Sequence, residues 1–197
     1  MKPDIDIESA LTLSRLPEVG AAKFKELIQM YGSPSIAINH FRSQKTNKKT
    51  PLNIQDALKF LEEHPEIKLY WPYHKKYPKK LCQITEPPPV LFIKGKENIL
   101  RNKKLKVAIV GSRKPSLSGV EYTKRITTKF CLAGAVIISG LADGIDACAH
   151  SIALQENAQT IGVMATGIDI CYPKKNLALY HEICLKGVIC TEFFPAT

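Results

Sequence analysis

From Lys106 onward, apolar runs of four or five residues alternate with stretches of helical spacing. Lys106-Val107-Ala108-Ile109-Val110 predicts a strand buried on both faces, because its apolar residues do not alternate with polar ones. Gly119 to Leu132 predicts a helix, with Val120, Ile126, Phe130 and Cys131 as core contacts and Gly134 as its end. Ala135 to Ser139 is a second strand. Ile145 to Glu156 is a second helix, with Asp143 as a candidate N-cap. Thr160 to Met164, Asn176 to Leu185 and Val188 to Glu192 continue the series as strand, helix and strand, with Gly187 capping the third helix. Such alternation predicts right-handed βαβ units. The expected class is α/β: a parallel sheet with helices on both faces.

The first part of the chain has another rhythm. Glu8 to Leu16 and Ala21 to Tyr31 carry apolar residues at helical spacing, joined by Leu16-Pro17-Glu18-Val19-Gly20. The pair reads either as a helix-hairpin-helix turn, able to hold a DNA phosphate through amides and the helix dipole, or as a plain two-helix turn. Arg42 to Pro51 is polar and basic and reads as a loop or linker. Ile54 to Glu63 returns to helical spacing, with Ile54, Ala57, Leu58 and Leu61 on one face. A small all-α domain is therefore expected over 1–65, and the α/β domain over 66–197. Between them, prolines at 72, 78 and 87–89 break any long helix, and Val90 to Ile93 forms a short strand ending at Gly95. Lys75, Lys76, Lys79 and Lys80 interleave with Tyr73 and Tyr77. That mixture suits single-stranded nucleic acid through stacking and charge, although a solvated loop is the commoner use of such a charge run.

Charge sharpens the functional reading. The chain of 197 residues has 28 Lys+Arg against 18 Asp+Glu, a formal net charge of +10, and its pI is near 9.3. A polyanionic partner is the natural inference. The excess is uneven: Met1–Lys106 holds 20 basic and 11 acidic residues, whereas Val107–Thr197 holds 8 and 7. The second part cannot bind phosphates by bulk charge and needs a focused site. No apolar run has the roughly 18 residues of a membrane span, and Met1 to Glu8 is too acidic for a signal peptide, so a cytoplasmic protein without a membrane partner is expected. The six cysteines form no C-x-x-C pair. They read as buried reduced thiols, with no metal site.

In an open parallel sheet, ligands bind beyond the carboxyl ends of the strands. That rule selects Gly111-Ser112-Arg113-Lys114, Gly140-Leu141-Ala142-Asp143-Gly144, Ala165-Thr166-Gly167 and Phe193-Phe194-Pro195. Glycines and small hydroxyls there expose backbone amides suited to a phosphate, and Arg113 adds a planar fork. Neither a G-x-G-x-x-G run nor a G-x-x-x-x-G-K-S/T loop follows the first strand. Dinucleotide binding and nucleotide hydrolysis lose their main support, and no cofactor is expected. Asp146 and His150 share a helix face. They read as an acid–base pair or, more commonly, as a loop-orienting pair, and no catalytic residue is assigned.

Taken together, Lys106–Arg113 (KVAIVGSR), Ser139–His150 (SGLADGIDACAH), Thr160–Pro173 (TIGVMATGIDICYP) and Gly187–Glu192 (GVICTE) resemble the core of the DprA/Smf DNA-processing proteins. Tyr77–Leu81, Pro87–Gly95 and the Leu16–Gly32 hairpin are similar to that family's lead-in segment and its SAM-like or helix-hairpin-helix domain. The resemblance implies a Rossmann-like core that binds single-stranded DNA without catalysis, acts in natural transformation, loads the recombinase RecA and forms homodimers. Carried over by position, it implies DNA contacts at Gly111, Ser112, Arg113 and Lys114, a pocket wall at Ser139 and Gly140, and a further contact at Lys174. Asp143 departs from the pattern and would repel a phosphate unless it caps the helix. Thr191-Glu192 stands where the family has Ser-Glu. The resemblance also implies a continuation past Thr197, with an Arg-Asn-Arg motif and further strands, so a C-terminally shortened core with an open edge and marginal stability is expected. The alternatives are a truncated remnant without function and a nucleoside-phosphate hydrolase on a related fold. The hydrolase would bring a Pro-Gly-Gly-x-Gly-Thr run that this sequence lacks.

Overall fold

The structure is a computed structural model that describes residues 5–43 and 54–197. The expected linker at Arg42 to Pro51 lies outside the described residues from position 44 on. Two compact units emerge, Met1–Phe92 and Ile93–Thr197. The expected boundary at 65/66 coincides with a change of element type, helix before and strand after, while the compact units divide further along the chain.

The first unit opens with α1 (Ile5–Ser14), α2 (Ala21–Tyr31), α3 (Pro34–Ser43) and α4 (Ile54–Glu63). Five consecutive residues of α1, Ser9 to Leu13, are buried. A helix covered on every side at that point sits at the centre of its bundle, and α1 touches each of the other three. Phe24, Leu27 and Ile28 of α2 and Ile54, Ala57 and Leu58 of α4 supply one-sided apolar stripes. Gly20 is the N-cap of α2, where its carbonyl accepts the Phe24 N–H at 2.8 Å. Helix α3 and the strand β1 (Ile67–Tyr70) have no counterpart in the sequence reading. The unit continues through the single-turn α5 (Lys79–Cys82) into β2 (Leu91–Gly95).

The second unit follows the expected alternation: β3 (Lys106–Ala108), α6 (Leu117–Leu132), β4 (Val136–Ser139), α7 (Ile145–Gln155), β5 (Thr160–Val163), α8 (Leu177–Lys186) and β6 (Val188–Thr191). The strands β3 to β6 pair in parallel, with Val107 opposite Ile137, Ile138 opposite Ile161, and Gly162 opposite Ile189. Within this unit the strands lie in the order β6-β5-β4-β3. The chain is α/β with a Rossmann-like sheet, as the alternation predicts.

Two expectations for this unit are corrected. β3 is not buried on both faces: it is only three residues long, and Val110 just beyond it is 70% exposed. It is the edge strand and pairs only with β4. Its shortness and the basic residues Lys103, Lys104 and Lys106 fit the way edge strands discourage further pairing. In α6 the buried stripe is Thr123, Thr127 and Cys131, while Val120, Ile126 and Phe130 are half-buried. Small side chains let α6 come close to α7, and the Thr123 hydroxyl is satisfied by donating to the Gly119 carbonyl at 2.8 Å. Cys131, Ile137, Ala149 and Ala153 form the core between these two helices and β4.

Candidate functional site

The turns after β3, β4 and β5 gather at one rim of the parallel sheet. What locks two of them is a carboxylate. Asp146, in the first turn of α7, is 6% exposed. Its Oδ1 accepts the Gly111 N–H at 3.3 Å and its Oδ2 accepts the Gly140 N–H at 2.9 Å. Hydrogen bonds to a buried charge are the strong kind, so the two glycine turns are fastened to the helix start through one side chain. Both glycines are sterically required. A Cβ on Gly111 would lie 2.8 Å from the Ile145 side chain, and one on Gly140 would lie 2.8 Å from Asp146 Oδ2. Gly144 completes the arrangement at φ +76°, with its Cα facing the Ser112 carbonyl, which accepts the Ile145 N–H at 3.1 Å.

This geometry changes the chemistry expected of the rim. The amides of Gly111 and Gly140 are committed to Asp146, and the Lys114 amide donates to Ser112 Oγ at 3.1 Å. They are therefore not free to hold a phosphate. Ser139 is not a contact surface either. It is 1% exposed, and its hydroxyl donates to the Ile109 carbonyl at 2.6 Å, tying β4 to the chain leaving β3. Ser112, Arg113 and Lys114 are exposed, and no hydrogen bond or ion pair engages the Arg113 or Lys114 side chain among the described residues. Arg113 and Gly140 line a cleft of about 280 Å³ with Ala142, Asp143, Thr166 and Tyr172. Lys174 stands outside the lining, exposed in a short 3-10 turn over Lys174–Asn176.

Asp143 does not cap α7; Gly144 holds that position, without a side-chain cap. Instead Asp143 Oδ2 pairs with Lys175 Nζ at 3.0 Å, so its charge is met by a cation from the turn before α8. Asn176 reinforces that junction by donating through Nδ2 to the Leu141 carbonyl at 2.9 Å. Leu141, fully buried at φ +57°, is held in a left-handed conformation by this surrounding network. Tyr172 escaped the sequence reading as a site residue. It is 64% exposed, precedes a cis proline and brings an aromatic ring to the same cleft as Arg113. Its sequence signal was its place at the end of the Thr160–Pro173 segment, an aromatic just ahead of Pro173 and Lys174-Lys175.

His150, one helical turn beyond Asp146, does not face the rim. It is fully buried, and its Nδ1 lies 2.7 Å from Thr160 Oγ1. The Thr160 hydroxyl donates to the Ile137 carbonyl at 3.0 Å, which makes Nδ1 the donor to Thr160. Burial pushes the imidazole down to about 4, against smaller opposing effects of the Ser139 backbone and the Asp146 carboxylate. Asp146 and His150 thus act as separate structural ties, one for loops and one for strands. The six cysteines are free thiols; Cys131 and Cys190 are buried and the other four are partly exposed, so the expectation of buried thiols holds for two of them. Burial pushes Cys190 up to about 12, which makes it an unreactive thiol. No helix among the described residues is long and apolar enough to cross a membrane.

Residues 68–197 match the family model of DNA recombination-mediator protein A. Protein Smf from Synechocystis sp. is 38% identical over 145 residues, 72% of this chain and 36% of that protein. DNA processing protein DprA from Bacillus subtilis is 39% identical over 123 residues, 62% of this chain and 41% of that protein. The chain therefore spans well under half the length of these two curated relatives. Among solved structures, the X-ray structure of DNA processing protein A from Streptococcus pneumoniae aligns with a TM-score of 0.70 at 27% identity, over 100% of this chain and 70% of that one. DNA processing protein A from Helicobacter pylori, solved for its single-stranded DNA binding mode, aligns with a TM-score of 0.57 at 29% identity, over 66% and 57%. Since the match takes in all four parallel strands and the three turns at their rim, the chain belongs to the DNA recombination-mediator protein A family, the DprA/Smf DNA-processing proteins.

Proposed function

We propose that this chain binds single-stranded DNA at the rim of its parallel sheet, without a chemical step. Arg113, Lys114 and Lys174 take the phosphates, and Tyr172 offers a ring for an unpaired base. The observation that carries this reading is Arg113: an exposed guanidinium beside an open cleft, on a turn whose backbone is fixed from behind by Asp146 and Ile145. The fixed backbone spares the cost of ordering the turn, and the long side chain is left free to bring its planar fork onto a phosphate. The Asp143–Lys175 pair supports the reading by cancelling the one carboxylate in the cleft lining. The single-stranded DNA binding mode of the Helicobacter pylori relative supports it from outside the chain. The same reading places the protein in the cytoplasm, in natural transformation, with RecA and a second copy of itself as partners. Resemblance alone supports those finer assignments.

A binding titration with labelled oligothymidylate and a duplex of equal length tests the proposal. Single strands are expected to bind more tightly, with a log–log salt slope of roughly −0.7 per neutralised phosphate. Arg113→Ala is expected to weaken binding by about 1.5–3 kcal/mol, roughly tenfold to a hundredfold. Equal affinity for duplex overturns the reading. Unchanged affinity in Arg113→Ala moves the site away from this rim.

A further inference from the structure

The first unit carries a cleft of its own, of about 510 Å³, between α2 and the segment around α5. Its lining includes Lys25, Lys75 and Lys79 and the rings of Tyr73, His74 and Tyr77, and it includes no carboxylate. Lys25 is half-buried and steered by donating from Nζ to the Ile84 carbonyl at 2.9 Å, which leaves two of its protons for a ligand. Lys75 and Lys79 are exposed and form no ion pair among the described residues. The floor is rigid. Tyr77 is 2% exposed, with its hydroxyl donating to the Pro88 carbonyl at 3.0 Å, and the His74 ring stacks on Tyr70 at 4.7 Å between centroids.

Tyr73 is the informative residue. Its φ is +68°, a left-handed conformation that a bulky side chain adopts only at a cost. Its ring is 48% exposed, so core packing does not offset that cost. Glycine or asparagine would fill the same turn without strain. The ring is nevertheless held in place, its hydroxyl donating to Gln29 Oε1 at 3.0 Å. A strained backbone that presents a fixed, half-exposed ring beside three lysines is the arrangement by which proteins stack an unpaired base and hold its phosphates.

We infer that this cleft is a second contact site for single-stranded DNA, with one base stacked on Tyr73 and the adjoining phosphates on Lys75, Lys79 and Lys25. The inference rests on the single-stranded DNA reading given above, and it is separable from the rim around Arg113. Cytosolic polyanions lacking bases would satisfy the lysines but leave the ring unused, which is why the ring decides the ligand class.

The test uses the full chain and oligothymidylate, part of it substituted with photoreactive 4-thiothymidine. Crosslinked peptides from Tyr73 to Gln83 are expected alongside those from the rim. Tyr73→Gly removes the ring and relieves the backbone, so it is expected to lower affinity about tenfold, the loss of one stacked base, while the unfolding midpoint stays level or rises. Tyr73→Phe keeps the ring and is expected to bind like the parent. The pair Lys75→Ala and Lys79→Ala is expected to flatten the salt slope by roughly 1.4, two phosphates' worth. Tyr73→Gly binding like the parent, with crosslinks confined to 111–114 and 166–174, overturns this inference and leaves the rim site standing. Crosslinks confined to Tyr73–Gln83, with Arg113→Ala unaltered, sustain it and overturn the rim site. A chain that binds no oligothymidylate overturns both.

Discussion

Replacing Asp146 by Asn tests the claim that one buried carboxylate organises the candidate site. The side chain keeps its shape and loses its charge, so packing at a position only 6% exposed is preserved. Asp146 accepts two backbone amides, from Gly111 at 3.3 Å and Gly140 at 2.9 Å. The Asn oxygen can accept only one of them, and its amide group then points a donor at the other. Hydrogen bonds to charged groups contribute about 1.5–3 kcal/mol each, and a neutral one about 1 kcal/mol. Losing one charged bond outright, weakening the other and apposing two donors gives a loss of about 3 kcal/mol. With a urea dependence of about 2 kcal/mol per molar, the unfolding midpoint of the second unit falls by roughly 1.5 M. Circular dichroism follows that transition, because the single tryptophan, Trp71, lies in the first unit. Amide exchange at Gly111 and Gly140 is expected to accelerate. DNA affinity supplies a sign test: removing a negative charge alone tightens binding, whereas loosening the Arg113 turn weakens it. A midpoint within about 0.3 M of the parent, with protected glycine amides, refutes the reasoning.

Three further predictions follow from the same network. Ser139→Ala removes the hydroxyl bond to Ile109 and is expected to cost about 1 kcal/mol of stability with no change in oligothymidylate affinity; lost affinity at unaltered stability would return Ser139 to the contact surface. His150 stays neutral in the fold down to about 4 while the unfolded chain takes up its proton near 6.5, so its stabilisation is complete above 6.5 and declines as pH falls through that window, by about 3 kcal/mol in all. Urea midpoints measured from pH 7 to 4.5 are expected to fall less steeply in His150→Gln, and parallel profiles would sink the assignment. Gly144→Ala places a Cβ against the Ser112 carbonyl at a φ of +76° and is expected to cost about 2 kcal/mol or more, read as a lowered thermal midpoint, and an unchanged midpoint counts against the close approach.

Much of the architecture was legible in the residues. The runs at Val136–Ser139, Thr160–Val163 and Val188–Thr191 are strands because they are apolar and β-branched, and glycines at 134 and 187 mark the helix ends where the backbone must turn. That βα turns would collect at one rim also followed from alternation alone. Local pattern was silent elsewhere. Helix α3 went unseen because its short apolar stretch, Ile36 to Ile38, lies among serines, a proline and an asparagine that read as a turn, although Ala37 and Ile38 are buried, and β1 because four residues carry too little periodicity.

Strand order, by contrast, is a property of the whole sheet. Val107 to Val110 reads like a central strand, and only its place at the edge exposes it. The rim teaches the same lesson more sharply. A glycine-rich turn advertises free amides, yet Asp146, 35 residues from Gly111 in the chain, takes that amide and leaves the guanidinium of Arg113 and the ring of Tyr172 to face the cleft. Periodicity is set by neighbours in the chain and can be read there. Which acceptor meets which donor depends on groups brought together from distant positions, and only the folded chain decides that.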